Sequence, residues 1–296
     1  MRDIINKYLP EPNASLVLAT TLGDDFVLDS ELNIGLVKSG LRHMVAVSGL
    51  HIAIILGTLF LFFIILGLKR NYATIAALMF LLFYVFLIGM PFSVIRAGIM
   101  GGILFLGFLI GRPSNIINSL IIAAIAIILW QNTAWQEISF QLSFGAVLGI
   151  LLFFNFFQNI FKKIPKIPKF SIDILSVTMA VLILIWPISV YNFGEFSIIA
   201  PISNILVLPL LPILMILGFL VMIFGMFFAP AAYLFSWFLW LISEWVILVA
   251  EFLGSLPGAT ITFDRTSIWF IIIYYLLLGG ILYFVKSKIK IEDSNL

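Results

Sequence analysis

Residues 40–56 read Gly-Leu-Arg-His-Met-Val-Ala-Val-Ser-Gly-Leu-His-Ile-Ala-Ile-Ile-Leu and contain both histidines of the chain, His43 and His51. Ser48 precedes His51 by three residues, so the two side chains would share one face of a helix. In the same stretch a polar, acidic segment gives way to a long apolar run. Polar side chains inside a bilayer face protein or a water-filled cavity. We therefore predict that the lip of a polar path is formed by Gly40, His43, Ser48, Gly49 and His51.

The Ser48–His51 pair also raises the question of catalysis, because serine beside histidine is typical of nucleophilic hydrolases. Residues 46–49 read Ala-Val-Ser-Gly and differ by one residue from the Gly-x-Ser-Gly of intramembrane serine proteases. Such an enzyme takes its base from another element, and no histidine follows His51. Two histidines without clustered carboxylates supply too few ligands for zinc. Since the chain also lacks cysteine and a Walker-type phosphate loop, we predict no enzymatic activity, no metal and no cofactor.

Composition indicates that these residues belong to a membrane protein. Of the 296 residues, 63% are hydrophobic and 10% are charged, whereas a soluble domain carries about 25% charged residues. A helix needs roughly 20 apolar residues to cross a bilayer core. The apolar runs that meet or approach this length are 47–68, 72–89, 93–111, 115–130, 138–157, 172–191, 196–211, 213–229 and 268–285. The expected fold is an all-α, polytopic integral membrane helical bundle of about nine transmembrane helices plus an amphipathic interfacial helix.

The interfacial helix is predicted at residues 232–253, which contain three tryptophans. Glu244 and Glu251 lie on one helical face there, being seven residues apart. Aromatic residues and an acidic stripe are typical of a helix that lies in the outer interface or lines a polar pore. The alternative is that this stretch is simply another crossing.

The region 196–229 contains three prolines that would kink or break one continuous helix, namely Pro201, Pro209 and Pro212. Broken helices at mid-membrane depth can expose backbone dipoles to a substrate. A plain pair of proline-kinked helices is the alternative. The charge pattern of the loops requires this region to cross the membrane twice.

That charge pattern sets the predicted topology, because basic loops stay in the cytoplasm. Basic residues close the first, third, fifth and last apolar runs, and the loops between them are neutral or acidic. We therefore predict a multi-pass plasma-membrane protein with an external N-terminus and a cytoplasmic C-terminus. Residues 1–45 would form a polar external lead, in which 15–21 is a strand or a short surface helix. Residues 46–286 would form the transmembrane domain and 287–296 a cytoplasmic tail.

Other polar residues inside apolar runs are candidates for the path. Arg96 lies a few residues inside the third run; it could contact phosphate, snorkel to the interface or pair with an acid. Gln141, Ser143 and Asn204 could line the path or hydrogen-bond neighbouring helices. The candidate structural or charge partners are Glu137, Glu195 and Glu244.

Several motifs resemble the ComEC-type competence proteins, the membrane channels of bacterial DNA uptake. They are the stretch 40–51, the Ser-Val-Ile-Arg-Ala-Gly-Ile-Met of 93–100, the Phe-Gln-Leu-Ser-Phe of 140–144, Asn204 with Pro209 downstream, and the Leu-Gly-Asp of 22–24. The likeness covers residues 22–285. The Ser-Gly-Leu-His element with the later Arg-Ala-x-x-Met carries most of its specificity.

The resemblance implies a competence-type membrane domain at 46–286 that passes single-stranded DNA inward across the plasma membrane. Larger members of this family carry an external OB-type domain and a metallo-hydrolase-like domain, and no His-x-His-x-Asp-His cluster occurs in this sequence. OB-type, nuclease and ATP-driven motor functions would then come from separate proteins unless this is a minimal version. The path could lie within one monomer or at the interface of a homodimer.

Two other functions stay open on the sequence alone. A secondary transporter of a small polar solute would use the proline-broken region as its site and predicts an inverted repeat, which we do not find. A non-transporting membrane scaffold would use its polar residues only to join helices. Polar groups that converge on one continuous wet cavity would favour transport, whereas scattered pairs would favour the scaffold.

Overall fold

The computed structural model describes residues 1–23, 28–45, 48–87, 92–109, 115–263 and 266–294. These residues are helical apart from turns and one ribbon of two short strands, so the predicted all-α class is confirmed. The helices are α1 (Arg2–Tyr8), α2 (Asn13–Leu22), α3 (Ser30–Lys38), α4 (Gly49–Ile65), α5 (Arg70–Leu87), α6 (Phe92–Leu109), α7 (Ile116–Trp130), α8 (Ile138–Phe161), α9 (Lys169–Phe193), α10 (Ala200–Val207), α11 (Leu211–Phe227), α12 (Ala229–Ser255) and α13 (Ile268–Ser294). The strands are β1 (Glu195–Ser197) and β2 (Thr260–Thr262), paired antiparallel with Phe196 opposite Ile261.

Four helical segments are long and apolar enough to cross a membrane, which supports the membrane class of the protein. They are Ile138–Phe161, Lys169–Phe193, Ala200–Phe227 and Ala229–Ser255. Several other apolar helices, including α4 and α7, are shorter, with 10–17 residues. The predicted count of about nine crossings therefore stays a prediction. The predicted cytoplasmic tail continues α13 as far as Ser294.

The region 196–229 forms one broken helix, so the prediction that it crosses the membrane twice is wrong. A 3₁₀ turn at Leu208–Leu210 joins α10 to α11, and the backbone on both sides of the turn stays right-handed helical. The three prolines lie in the first turns of α10, the 3₁₀ turn and α11, where a missing N–H costs little. With eight residues, α10 is about 12 Å long and too short to cross alone.

Helix α12 packs in the bundle, which corrects the prediction of an interfacial helix at 232–253. One face of α12, including Leu239, Val246 and Ala250, is buried against its neighbours. The opposite face exposes large apolar side chains such as Trp237 and Phe252, and an interfacial helix would need a polar face there. The alternative of another crossing fits. Because one predicted crossing is lost and α12 is gained, the alternation of basic loops is preserved.

The N-terminal lead shares its core with the bundle. Helix α2 is buried along nine consecutive residues, Asn13 to Thr21, each at most 2% exposed. Residues 15–21 are therefore helical, as one alternative predicted, but the helix is buried and does not lie on a surface. Small side chains allow this close packing, because Thr21 and Val17 fit against Gly218 of α11. Tyr84 of α5 donates a hydrogen bond to the Thr21 carbonyl (2.7 Å).

Helices α8, α9 and α13 form a second packed group. The backbones of α8 and α9 approach so closely at Gly149 that an added Cβ would lie 2.4 Å from the Ala180 carbonyl oxygen. Pro187 of α9 has no N–H, so the carbonyl of Ile183 lacks its helical donor. The Tyr274 hydroxyl of α13 donates to that carbonyl at 2.9 Å. The carbonyl that Pro187 leaves without a helical donor is thus capped by α13.

Candidate functional site

The turn that precedes α4 rests on the β1–β2 ribbon and on the start of α10. Gly40 adopts φ +78°, and an added Cβ there would lie 2.4 Å from the Cβ of Ala200, so both the backbone angle and the space favour glycine. The Ser197 hydroxyl donates to the Lys38 carbonyl (2.7 Å). A 3₁₀ turn at Arg42–Met44 follows. This packing fixes the position from which α4 starts.

His51 is fully buried, and both of its ring nitrogens bond within this turn. Nε2 lies 2.9 Å from the Met44 carbonyl oxygen, and Nδ1 accepts the backbone N–H of Ser48 at 3.2 Å. Because a carbonyl oxygen only accepts, Nε2 carries the proton, and this pattern assigns the neutral Nε2–H tautomer. The Ser48 hydroxyl lies 3.1 Å from the same Nδ1. The Nδ1 lone pair is therefore already engaged by the protein.

Ser48 and His51 together make a capping box. Ser48 is the N-cap of α4, and His51 occupies the third helical position, where glutamate or glutamine usually reaches back to the N-cap N–H. Their spacing of three residues is the spacing that this motif requires. The structure thus brings Ser48 and His51 together, as expected from the sequence, and gives the pair a role in starting the helix.

His43 differs from His51 because its imidazole is exposed. Its Nδ1 donates to the Gly40 carbonyl at 3.0 Å. Among the residues that the structure describes, Nε2 has no hydrogen-bond partner. The ring is therefore anchored through one nitrogen, and the other is available to a ligand at the surface.

Arg96 lies within α6, but its side chain is outside the described residues. The next turn of α6 carries Ile99 and Met100, which belong to the same hydrophobic cluster as Phe140 and Phe144 at the start of α8. This packing brings the turn that follows Arg96 beside the first turns of α8.

The other α8 residues of the predicted path lie at this same end. Glu137 is the exposed N-cap of α8, and Gln141 donates from Nε2 to the Trp135 carbonyl (3.2 Å). Ser143 is half-buried. The structure therefore groups Glu137, Gln141 and Ser143 with each other, apart from the His51 turn.

Asn204 of α10 is 6% exposed and donates from Nδ2 to the Thr178 hydroxyl of α9 at 3.0 Å. Its Oδ1 is buried and has no partner in the described part of the chain. Asn204 thus joins two helices and keeps one acceptor unused. Sequence reasoning missed Thr178, since one threonine in an apolar run carries no positional signal.

Glu244 lies near the middle of α12 and accepts from Asn13 Nδ2 at 2.9 Å; the same amide nitrogen lies 3.1 Å from the Ser243 hydroxyl. Asn13 and Ser243 were also missed, because Asn13 belongs to the segment that the sequence predicted to be external. Glu195 is half-buried at the start of β1 and pairs with Thr262 across the ribbon. Within the described ranges, no group of three or more metal-binding side chains occurs.

Comparison with known proteins identifies the family. A family model described as "Competence protein" matches residues 20–288. The chain belongs to the competence protein family. The resemblance drawn from residues 40–51 and the later motifs is therefore confirmed.

Three curated relatives are similar to this competence protein over most of its length. ComE operon protein 3 of Bacillus subtilis (strain 168) is 32% identical over 243 residues, which cover 81% of this chain and 30% of the relative. Uncharacterized protein MG316 of Mycoplasma genitalium is 26% identical over 260 residues, 88% of this chain and 63% of the relative. Uncharacterized protein YcaI of Escherichia coli (strain K12) is 22% identical over 214 residues, 68% of this chain and 28% of the relative.

The competence protein thus spans less than two thirds of the length of each of these relatives. No solved structure matches it.

Proposed function

We propose that this competence protein is a channel that passes single-stranded DNA inward across the plasma membrane during natural transformation, without enzymatic activity of its own. The observation that carries the proposal is the family match over residues 20–288, because this range contains every residue predicted for the path. ComE operon protein 3, at 32% identity, supports the same assignment to competence.

Only a few polar side chains would contact the DNA strand in this proposal. A single strand carries one phosphate per about 3.4 Å, and proteins that bind it combine cations with aromatic side chains. Arg96 is the candidate phosphate contact inside the bundle, since guanidinium binds phosphate in a bidentate manner. His43, exposed before α4, would meet the strand first. A conducting site must also release what it holds, and so sparse a set of cations suits passage better than tight binding.

The buried polar residues would shape the walls of the path. His51 and Ser48 hold the start of α4, and Asn204 holds α10 against α9. Gln141 and Ser143 would offer neutral hydrogen-bonding groups near the α6 turn that follows Arg96. In this proposal His51 positions the lip of the path, whereas His43 and Arg96 contact the ligand.

The test replaces the chromosomal copy with Arg96→Ala or His43→Ala and measures nuclease-resistant labelled DNA inside the cells at matched membrane abundance. Lys69→Ala is the control, because Lys69 is an exposed cation between α4 and α5. We expect both path variants to lose uptake and the control to keep it. Undiminished uptake in Arg96→Ala and His43→Ala would contradict the phosphate role.

A membrane scaffold is the second candidate, and one observation favours it. The described polar residues form separate pairs: His51 with its own turn, Gln141 with Trp135, Asn204 with Thr178, and Asn13 with Glu244. Scattered pairs of this kind are what helix joining requires. A scaffold predicts that none of the point variants above impairs DNA entry at normal abundance, whereas deletion of the whole chain does.

The small cavity between α6 and α7 does not distinguish the candidates. It is apolar except for Gln131 and is lined by Ile95, Ile99, Ile127, Trp130 and Gln131. Among the predicted path residues whose side chains the structure describes, none lines it.

A further inference from the structure

The first helix packs where α11 turns into α12. An added Cβ on Gly225 of α11 would lie 2.4 Å from Ile4 and 3.1 Å from the Tyr8 ring. Tyr8 also packs edge to face against Tyr233 of α12, with ring centroids 4.8 Å apart. The exposed side chains of α1 include Asn6 and other polar residues. Helix α1 therefore lies at the turn end of the α11–α12 hairpin, with a polar surface.

The third helix packs at the opposite end of α12. An added Cβ on Gly254 would lie 3.0 Å from the Gly35 carbonyl and 3.3 Å from the Lys38 Cβ. An added Cβ on Gly35 would in turn lie 3.6 Å from the backbone of Ala250. Helix α3 therefore lies where the α11–α12 hairpin opens.

The distance between these two contacts matches a membrane. Tyr233 and Gly254 are about 31 Å apart along α12 at about 1.5 Å per residue. The hydrocarbon core of a bilayer is about 30 Å thick. A chain that contacts both positions has therefore covered the thickness of the core.

The helix between the two ends has the properties that the interior of a bilayer requires. Helix α2 is buried along nine residues, and its Thr20 and Thr21 hydroxyls bond carbonyls of their own helix. Its Asn13 amide meets Glu244 near the middle of α12. Backbone groups bonded within the helix and polar side chains paired inside protein are what hydrocarbon surroundings demand.

The lysine-rich loop and the β1–β2 ribbon indicate which end of the bundle is cytoplasmic and which is external. The loop between α8 and α9 contains Lys162, Lys163 and Lys166, which is typical of the cytoplasmic side. Helix α9 then leads to the other side, where β1 begins, and β1 pairs with β2, which follows α12. The open end of the α11–α12 hairpin is therefore external, and the turn end is cytoplasmic.

We propose that α1–α3 form an interrupted membrane crossing, with α1 at the cytoplasmic surface and α3 at the outer surface. The bilayer, and not external solvent, surrounds this part of the protein. The proposal replaces the predicted external lead at 1–45 and moves the first residues of the chain to the cytoplasmic side. It does not depend on DNA being the substrate.

The test uses the absence of cysteine from the chain. Single cysteines are introduced as Asn6→Cys in α1 and Glu31→Cys in α3, both at exposed polar positions. A membrane-impermeant maleimide is applied to intact and to permeabilised cells. Lys163→Cys reports the cytoplasmic side and Thr262→Cys the outer side; both control positions are exposed. Asp3→Cys and Ser30→Cys, also at exposed positions, repeat the measurement should either first variant insert poorly.

We expect Glu31→Cys and Thr262→Cys to be labelled in intact cells, and Asn6→Cys and Lys163→Cys only after permeabilisation. Ser15→Cys, at a position 1% exposed in α2, should resist the reagent until the protein is denatured. Labelling of Asn6→Cys in intact cells to the same degree as Glu31→Cys would overturn the crossing, because α1 would then be external. Protection of Glu31→Cys in intact cells would overturn it too. The labelling experiment does not measure DNA uptake, so its outcome tests the crossing independently of the proposed function.

Discussion

Replacing His51 with alanine would remove both hydrogen bonds that close the turn before α4. The buried Met44 carbonyl and the half-buried Ser48 N–H would lose their partners. A buried group left without a partner costs about 1–3 kcal/mol, so the two together cost about 3 kcal/mol. With an unfolding entropy of about 2.1 cal/mol/K per residue, this corresponds for 296 residues to a fall of about 5 °C in melting temperature.

His51→Gln is the matched rescue variant. Glutamine at the third helical position accepts the N-cap N–H in an ordinary capping box, so it restores the bond to Ser48 while the bond to Met44 is lost. We expect about half of the fall in melting temperature to be recovered, since one of the two buried partners is restored. His43→Ala serves as a control, because it removes an exposed ring with one backbone bond.

The assay is thermal denaturation of the purified protein in detergent, with membrane abundance measured in parallel. We expect the melting temperature to fall in the order wild type, His43→Ala, His51→Gln and His51→Ala. A His51→Ala protein that melts like the wild type but no longer supports DNA entry would refute it, because His51 would then contact the ligand instead of closing the turn.

Three further predictions concern the packing of the bundle. Gly149→Ala should destabilise the protein by up to about 3 kcal/mol, since the new Cβ meets a backbone carbonyl of α9 that cannot move aside. Gly145→Ala is the control, because its Cβ would meet only a side-chain carbon at 3.5 Å. It should shift the free energy of unfolding by less than about 0.5 kcal/mol in the same melting assay. Tyr274→Phe should lower the free energy of unfolding by about 1 kcal/mol, because the carbonyl that Pro187 leaves unbonded loses its donor. Limited proteolysis of α13 measures this effect. Unchanged cleavage would contradict the role of Tyr274 as a cap. Asn13→Ala should lower the melting temperature by several degrees by leaving a carboxylate without its donor, and an unchanged value would show that the pair contributes nothing.

The apolar helices could be predicted well from the sequence, because the length of an apolar run indicates the length of the helix. The helices α8 and α9 match the runs 138–157 and 172–191 to within a few residues. Two crossings were predicted for 196–229 because 232–253 was not counted as a crossing, and the alternation of basic loops then required one more. Only the backbone shows that Pro209 and Pro212 lie in first turns, where the chain stays right-handed helical.

Residues whose roles depend on distant partners could not be predicted. Glu244 seemed to belong to an acidic stripe because its partner Asn13 lies far away in the sequence. The segment 15–21 was predicted to be a strand or a short surface helix because so short an apolar run cannot span a bilayer, although it contains several small side chains. Those same small side chains let it pack against Gly218. The Ser48–His51 spacing was visible, but histidine in the position of a capping glutamate is not a familiar helix-start signal.

Photocrosslinking tests the central claim of DNA passage most directly. A photoreactive amino acid is placed at Leu50, an exposed residue at the start of α4 that is not itself predicted for the path. In a separate strain it is placed at the exposed control position Lys163, and cells are irradiated while they take up labelled single-stranded DNA. We predict a DNA adduct at position 50 that persists when Arg96→Ala blocks passage further along, and no adduct at position 163 before DNA reaches the cytoplasm. Equal adducts at both positions, or none at position 50 during active uptake, would contradict a DNA path that begins at this turn.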